Sequence, residues 1–186
     1  MKTSAGNLKR GEFVSYLNEI WQVQKAEFYS PGKGSALMKT RIKNVMNGKN
    51  IEYTFKSNEM IETIEVESVE MQYLYKDAEY AYFMNERNYN QYQLPLAVVG
   101  DMIEFMKDGN KYFIYVHNDT PLTIRPSLSE RLKVVEAEDA AKGDTVSGAK
   151  KPVKLETGAT IMVPIFVKVG ETIIVNPETR EYVGRE

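Results

Sequence analysis

Short runs in which apolar and polar residues alternate, broken by turn-forming residues, narrow the fold of this chain more than any other feature. Leu37-Met38-Lys39-Thr40-Arg41-Ile42-Lys43 is the clearest run. Successive side chains of a strand point to opposite faces, so Met38, Thr40 and Ile42 face one way and Lys39, Arg41 and Lys43 the other. Asn47-Gly48 then predicts a hairpin turn into Ile51-Glu52-Tyr53-Thr54-Phe55. Upstream, Phe13 to Leu17 and Ile20 to Phe28 read as strands joined at Asn18-Glu19. Downstream, strands are expected at Ile64 to Val69, Met71 to Tyr75, Tyr80 to Met84 and Tyr112 to Val116. Further strands are expected at Leu132 to Glu136, Thr160 to Val163 and Thr172 to Val175, with a last one after the Asn176-Pro177-Glu178-Thr179 turn. Helical spacing occurs once, in Leu94 to Lys107, where Val98, Val99, Met102, Ile103 and Met106 recur and Asp108-Gly109 supplies a stop. Ala140 to Pro152 is too polar for a core and reads as loop. The expected class is all-β, in three small modules: 1–64, 65–127 and 128–186.

Composition removes whole classes of chemistry. The 186 residues include no cysteine and one histidine, His117. Disulfides, thiolate catalysis, Cys-ligated zinc and iron–sulfur clusters are therefore excluded, and no His cluster can hold a metal. No nucleophile–base pair stands out, so no catalytic residue, metal or cofactor is assigned and the chain does not read as an enzyme. The acidic pairs Glu65/Glu67 and Glu136/Glu138 have no partner that would make them catalytic, and His117 reads as a structural residue beside a turn. Tyrosines 73, 75, 80, 82, 89 and 92 and Trp21 fit strand packing. No apolar run approaches the roughly 18 residues that span a bilayer, and the first residues lack a signal-peptide core. A cytoplasmic protein without a membrane partner is expected.

The net charge of −2 conceals an asymmetry. Residues 1–64 hold ten Lys and Arg against six acids, residues 65–127 five against ten, and residues 128–186 nine against ten. The balances are +4, −5 and −1, so the basic excess lies in the first module. That module also holds Pro31-Gly32-Lys33-Gly34. Proline presets its own φ and glycine accepts positive φ, so the loop can reverse sharply with Lys33 as the one long side chain at its tip. Such a lysine suits contact with phosphates or recognition by a modifying enzyme. It is no Walker loop, because the Gly-x-x-x-x-Gly-Lys spacing is missing. Close by, Lys39, Arg41 and Lys43 form a cationic row about 6.6 Å apart per step, similar to phosphate spacing along one nucleic-acid strand. A nucleic acid is the partner this pattern suggests, with Lys25 and Lys33 reinforcing it.

At this point the chain resembles the bacterial elongation factor P family over essentially its whole length. The residues that carry the resemblance are Pro31-Gly32-Lys33-Gly34-Ser35-Ala36, Glu70-Met71-Gln72-Tyr73-Leu74-Tyr75-Lys76-Asp77, Lys142-Gly143-Asp144-Thr145, and Lys151-Pro152 through Leu155-Glu156-Thr157-Gly158-Ala159 to Val163-Pro164. The resemblance implies an SH3-like, KOW-type first barrel and two OB-fold barrels, in an L-shaped monomer of transfer-RNA-like outline. It implies a translation elongation factor that binds the 70S ribosome between the peptidyl and exit sites. There it would lie beside the peptidyl-tRNA (tRNA-Pro) and promote peptide-bond formation at consecutive prolines.

Carried over by motif, Lys33 matches the tip residue that reaches the peptidyl-transferase centre, with Pro31, Gly32 and Gly34 forming its loop. In many members this residue carries a β-lysyl or aminopentanol extension, which implies a Lys33-modifying enzyme as a partner. Gly143, Asp144 and Thr145 match a loop that approaches the mRNA at the exit site. Tyr182 and Arg185 match a C-terminal pair facing RNA, and Lys39, Arg41 and Lys43 fit an RNA-backbone contact. No DNA partner is implied. Ser30 departs from the basic residue that many members carry before the proline. Two alternatives stay open: a general RNA-binding OB-fold protein with no specific ribosomal site, and the elongation-factor-P-like paralogue.

Overall fold

The alternation of Leu37 to Lys43 survives in three dimensions as a strand whose even-numbered side chains are buried. The computed structural model describes residues 1–137 and 148–186. It contains sixteen strands among those residues, arranged in three antiparallel sheets that each use a continuous stretch of chain. The expected all-β class is what the chain adopts.

The first sheet comprises β1 (Lys2–Ser4), β2 (Phe13–Tyr16), β3 (Glu19–Tyr29), β4 (Leu37–Asn44), β5 (Asn50–Lys56) and β6 (Met60–Ile64), in the order β1-β6-β2-β3-β4-β5. A 3-10 turn at Ala5–Asn7 folds back onto the end of β5, with Gly6 N donating to Ser57 O at 2.8 Å. Val14, Trp21, Val23, Met38, Ile42 and Phe55 fill the interior. The indole Nε1 of Trp21 donates to Tyr16 O at 3.0 Å, which satisfies its polar atom inside an apolar site.

The β2–β3 turn lies one residue earlier than expected, at Leu17-Asn18, with φ values of 53° and 61°. Two consecutive left-handed residues match the right-handed twist of the paired strands, which sets the register at Tyr16↔Glu19. Asn47-Gly48 does not form a two-residue hairpin. Val45 is buried against Phe13 and Leu122, so five residues separate β4 from β5, and the Asn44 side chain accepts from the backbone N–H groups of Met46 and Asn47.

The second sheet has the order β11-β10-β7-β8-β9, from β7 (Glu67–Lys76), β8 (Tyr80–Met84), β9 (Gln91–Pro95), β10 (Lys111–His117) and β11 (Thr120–Ile124). The helical spacing of Leu94 to Lys107 overstated what forms there. A single turn, α1 (Leu96–Val99), passes into a 3-10 stretch at Gly100–Phe105, because Gly100 adopts φ 70° and breaks the regular helix. Gly109, expected as a helix stop, serves instead as the left-handed residue of the turn before β10.

The third sheet, in the order β14-β13-β12-β15-β16, comprises β12 (Glu130–Ala137), β13 (Lys150–Leu155), β14 (Thr160–Pro164), β15 (Thr172–Asn176) and β16 (Glu181–Arg185). Lys150 to Pro152, read as loop for their polarity, pair with Met162 to Pro164 at the strand's start. Phe105 is fully buried in the core of this sheet although the second module contributes it.

Candidate functional site

The loop carrying Lys33 joins the two longest strands of the first sheet. β2 pairs only with Glu19–Gln22 of β3, so from Lys25 onward β3 is held by β4 alone, in register to Tyr29↔Leu37. The distal hairpin therefore runs beyond β2, while β5 stays paired with β4 up to Leu37↔Lys56, and residues 30–35 at its end are all exposed. Gly32 and Gly34 have φ 73° and 107°, the left-handed region that glycine enters without penalty. A side chain at Gly32 would meet nothing within 4 Å, so the backbone around Lys33 is clear on that side. Among the described residues, none of the ion pairs involves Lys33.

Just below the tip, the Lys39 ammonium lies 4.9 Å from the centre of the Tyr29 ring. Phe28 beside it is 59% exposed. Arg41 donates to Glu52 at 2.8 Å, and Lys25 lies 2.7 Å from Glu27, whose carboxyl is held below the usual range by that lysine. The row of cations read from β4 is thus interleaved with Glu27 and Glu52. Cross-strand pairing places them opposite Lys39 and Arg41 respectively. Exposed pairs of this kind contribute at most about 1 kcal/mol, so a phosphate can displace the carboxylates at little cost.

Lys43 does not join Lys39 and Arg41. Its ammonium donates to Val98 O at 2.7 Å across the junction between the first and second sheets. Burial pushes its pKa down from the ordinary lysine value, opposed by the charge of Asp101. Gly48 packs beside it, where a Cβ would fall 2.2 Å from Ala97 O. The sequence marks Asn47-Gly48 as a turn but contains nothing that would pair it with Ala97.

In the third sheet, Tyr182 pairs with Val175 and Arg185 with Ile173, with Val183 as a bulge between them. The bulge places two residues three apart on the same face, which regular alternation would forbid. Tyr182 packs against the core and the Arg185 guanidinium lies 4.3 Å over the Phe166 ring. Gly143, Asp144 and Thr145 lie outside the described residues.

The other sequence candidates take structural positions. His117 Nδ1 lies 2.7 Å from Glu65 O and its Nε2 lies 3.0 Å from Asn118 Nδ2, tying β10 to the segment between β6 and β7. Tyr75 and Tyr82 stack at 4.6 Å, and Tyr82 donates to Asp77 at 2.7 Å, which pushes the phenol up to about 12. Sequence reasoning missed the cleft of about 1020 Å³ where the three sheets meet, lined by charged residues such as Arg10, Arg125, Arg131 and Glu178 and by apolar ones such as Phe113 and Leu128. Arg10 and Glu178 close one side of it with a 2.9 Å ion pair between residues 168 positions apart. Among the described residues no group of three metal-ligating side chains converges, and no helix is long and apolar enough to cross a membrane.

Comparison with known proteins matches these three units in turn. Residues 4–61 match the elongation factor P KOW-like domain, residues 66–124 its OB domain, and residues 131–185 the elongation factor P C-terminal family. The elongation factor P of Caldicellulosiruptor saccharolyticus is 40% identical over 181 residues, 97% of this chain and 98% of that protein. The chain belongs to the elongation factor P family. That of Thermotoga maritima is 41% identical over 180 residues, 97% of each chain. The solved structure of eukaryotic translation initiation factor 5A from Methanococcus jannaschii shares the fold over 67% of this chain and 92% of that one, at TM-score 0.51 and 17% identity. Elongation factor P is a family of translation elongation factors rather than of enzymes. Its KOW-like and OB architecture is the one seen here, with the Lys33 loop at the far end of the KOW-like sheet.

Proposed function

We propose that this protein binds the ribosome between the peptidyl and exit sites and promotes peptide-bond formation at consecutive prolines by positioning the peptidyl-tRNA. The observation that carries the reading is the placement of Lys33. It is an exposed primary amine between two left-handed glycines, at the end of a hairpin that extends past β2 and leaves residues 30–35 wholly exposed. An ammonium at such a tip can enter a narrow RNA-lined passage and donate to phosphate or sugar oxygens at the acceptor end of the transfer RNA. Holding that end in a reactive geometry lowers the entropic part of the barrier to peptidyl transfer, which is effective where proline is a poorly oriented reactant.

Lys39 and Arg41, with carboxylates that a phosphate can displace, supply backbone contacts below the tip, and Tyr182 with Arg185 forms a second RNA-facing pair. We assign Gly143, Asp144 and Thr145, which lie outside the described residues, to contact with the mRNA at the exit site. The open backbone around Lys33 also suits an enzyme that adds a β-lysyl or aminopentanol group to the amine, extending its reach. Such work takes place in the cytoplasm.

Replacing Lys33 with Ala is expected to abolish rescue of a polyproline reporter while leaving the thermal unfolding midpoint unchanged, because the residue has no part in any core. Full rescue by Lys33→Ala would refute the reading. Cosedimentation at moderate salt separates it from general RNA binding, which would give equal affinity for ribosomes and unstructured RNA. Peptide mass spectrometry of protein from its native host reads any mass added at Lys33.

A further inference from the structure

The junction between the first and second sheets is built with unusual economy. An apolar cluster of Phe13, Val45 and Leu122, with Tyr115 against it, fills its centre. Phe13 and Tyr115 meet edge to face at 5.2 Å. At its rim, β4 ends on two contacts to the backbone of α1: Lys43 Nζ to Val98 O at 2.7 Å, and Gly48 against Ala97 O. Gly48 sits at φ 73°, and a Cβ there would lie 2.2 Å from that oxygen and 2.7 Å from the carbonyl carbon. Any larger residue would force α1 away from the first sheet. The Lys43 ammonium donates to Val98 O near the C-terminal end of α1, where a positive charge is favoured by the turn's carbonyl dipoles.

Lys43 sits on the strand that leads from the functional loop, and Gly48 lies in the turn that follows that strand. β4 begins at Leu37, one residue beyond the exposed stretch 30–35, and reaches Lys43 six residues later. At roughly 3.3 Å per residue, this lever is about 20 Å long before the loop is added. A rocking motion of about 5° at the junction displaces the start of β4 by about 1.7 Å, and a misplacement of about 1 Å can cost a hundredfold in a reaction that depends on orientation.

We propose that Lys43 and Gly48 are positioning residues: they lock the first sheet onto α1 and so fix where Lys33 points, and Lys43 acts through this lock rather than by touching RNA. The proposal rests on the function given above, and its first measurement does not. The sequence contains no cysteine, so spin labels at Ser35→Cys and Arg87→Cys are the sole labelled thiols and report the distance from the tip loop to the second sheet.

In the free protein, Lys43→Met is expected to broaden that distance distribution. Ribosome cosedimentation should stay within about twofold, because no phosphate contact is removed, while stimulation of a polyproline reporter falls on the order of tenfold or more. Gly48→Ala should do the same; if it fails to fold, Lys43→Met decides. An unchanged distribution overturns the proposal. If ribosome affinity then falls with a shallower salt dependence, Lys43 is an RNA contact instead. A broadened distribution with full reporter stimulation overturns it too. Were Lys33→Ala fully active, the functional reading would fail while the measured lock would stand.

Discussion

Phe105 offers the sharpest test of how the second and third modules are joined. It leaves the 3-10 stretch of one module and is 0% exposed within the core of the other, among Leu132, Val134, Leu155 and Val175. Truncating a buried phenylalanine to alanine costs about 3–5 kcal/mol, from lost transfer free energy and the cavity left behind. The ring also carries the Arg180 guanidinium at 5.2 Å, a half-exposed cation–π contact that contributes about 0.5–1 kcal/mol more. A module of this size has a stability of only about 3–9 kcal/mol at the usual 0.05–0.15 kcal/mol per residue.

Phe105→Ala should therefore bring the third module close to unfolding in water. The assay is a urea titration followed by two signals. Trp21, the single tryptophan, is buried in the first sheet and reports that module alone, whereas far-ultraviolet circular dichroism sums all three. In Phe105→Ala the dichroism should show an early transition while the Trp21 midpoint stays where it was. A destabilisation below about 1 kcal/mol would refute the packing argument. Equal shifts of both signals would refute the local character of the contact.

Other expectations are simpler to check. Glu130 is buried beneath Tyr112, and burial pushes its carboxyl up, partly offset by hydrogen bonds from Ser127 and Tyr112. The native state therefore holds that proton more tightly than the unfolded chain, so stability falls as pH rises from the ordinary carboxylate range through the raised native value. Glu130→Gln should be more stable than the parent at about pH 8 and converge with it near pH 4 in chemical denaturation, and a constant difference across that range would contradict this. Leu17 is 73% exposed at φ 53°, so Leu17→Asn should raise stability by about 0.5–1 kcal/mol, read from the thermal midpoint, since a left-handed leucine costs about 1–2 kcal/mol.

Much of the site was legible because it is local. Alternation along Leu37 to Lys43 determines which side chains enter the first core, and Pro31-Gly32-Lys33-Gly34 carries its own turn chemistry, so the sequence by itself determined an exposed lysine at the end of a hairpin. Sequence alone also reached the all-β class and the family. What lies opposite each strand is not written in that pattern. Periodicity separates inside from outside for a residue's own sheet and says nothing of the neighbouring one.

Tertiary structure decided the rest. Register set Glu27 and Glu52 between the cations of β4, and a bulge at Val183 turned Tyr182 and Arg185 to one face. Packing of one module on the next took Lys43 out of the cationic row and moved Phe105 into a core that its own helical spacing would not assign. The physical reason is common to all of these. A local pattern records the backbone's own geometry, whereas a charge or a ring spends its energy on whichever atoms the folded chain brings within a few ångströms.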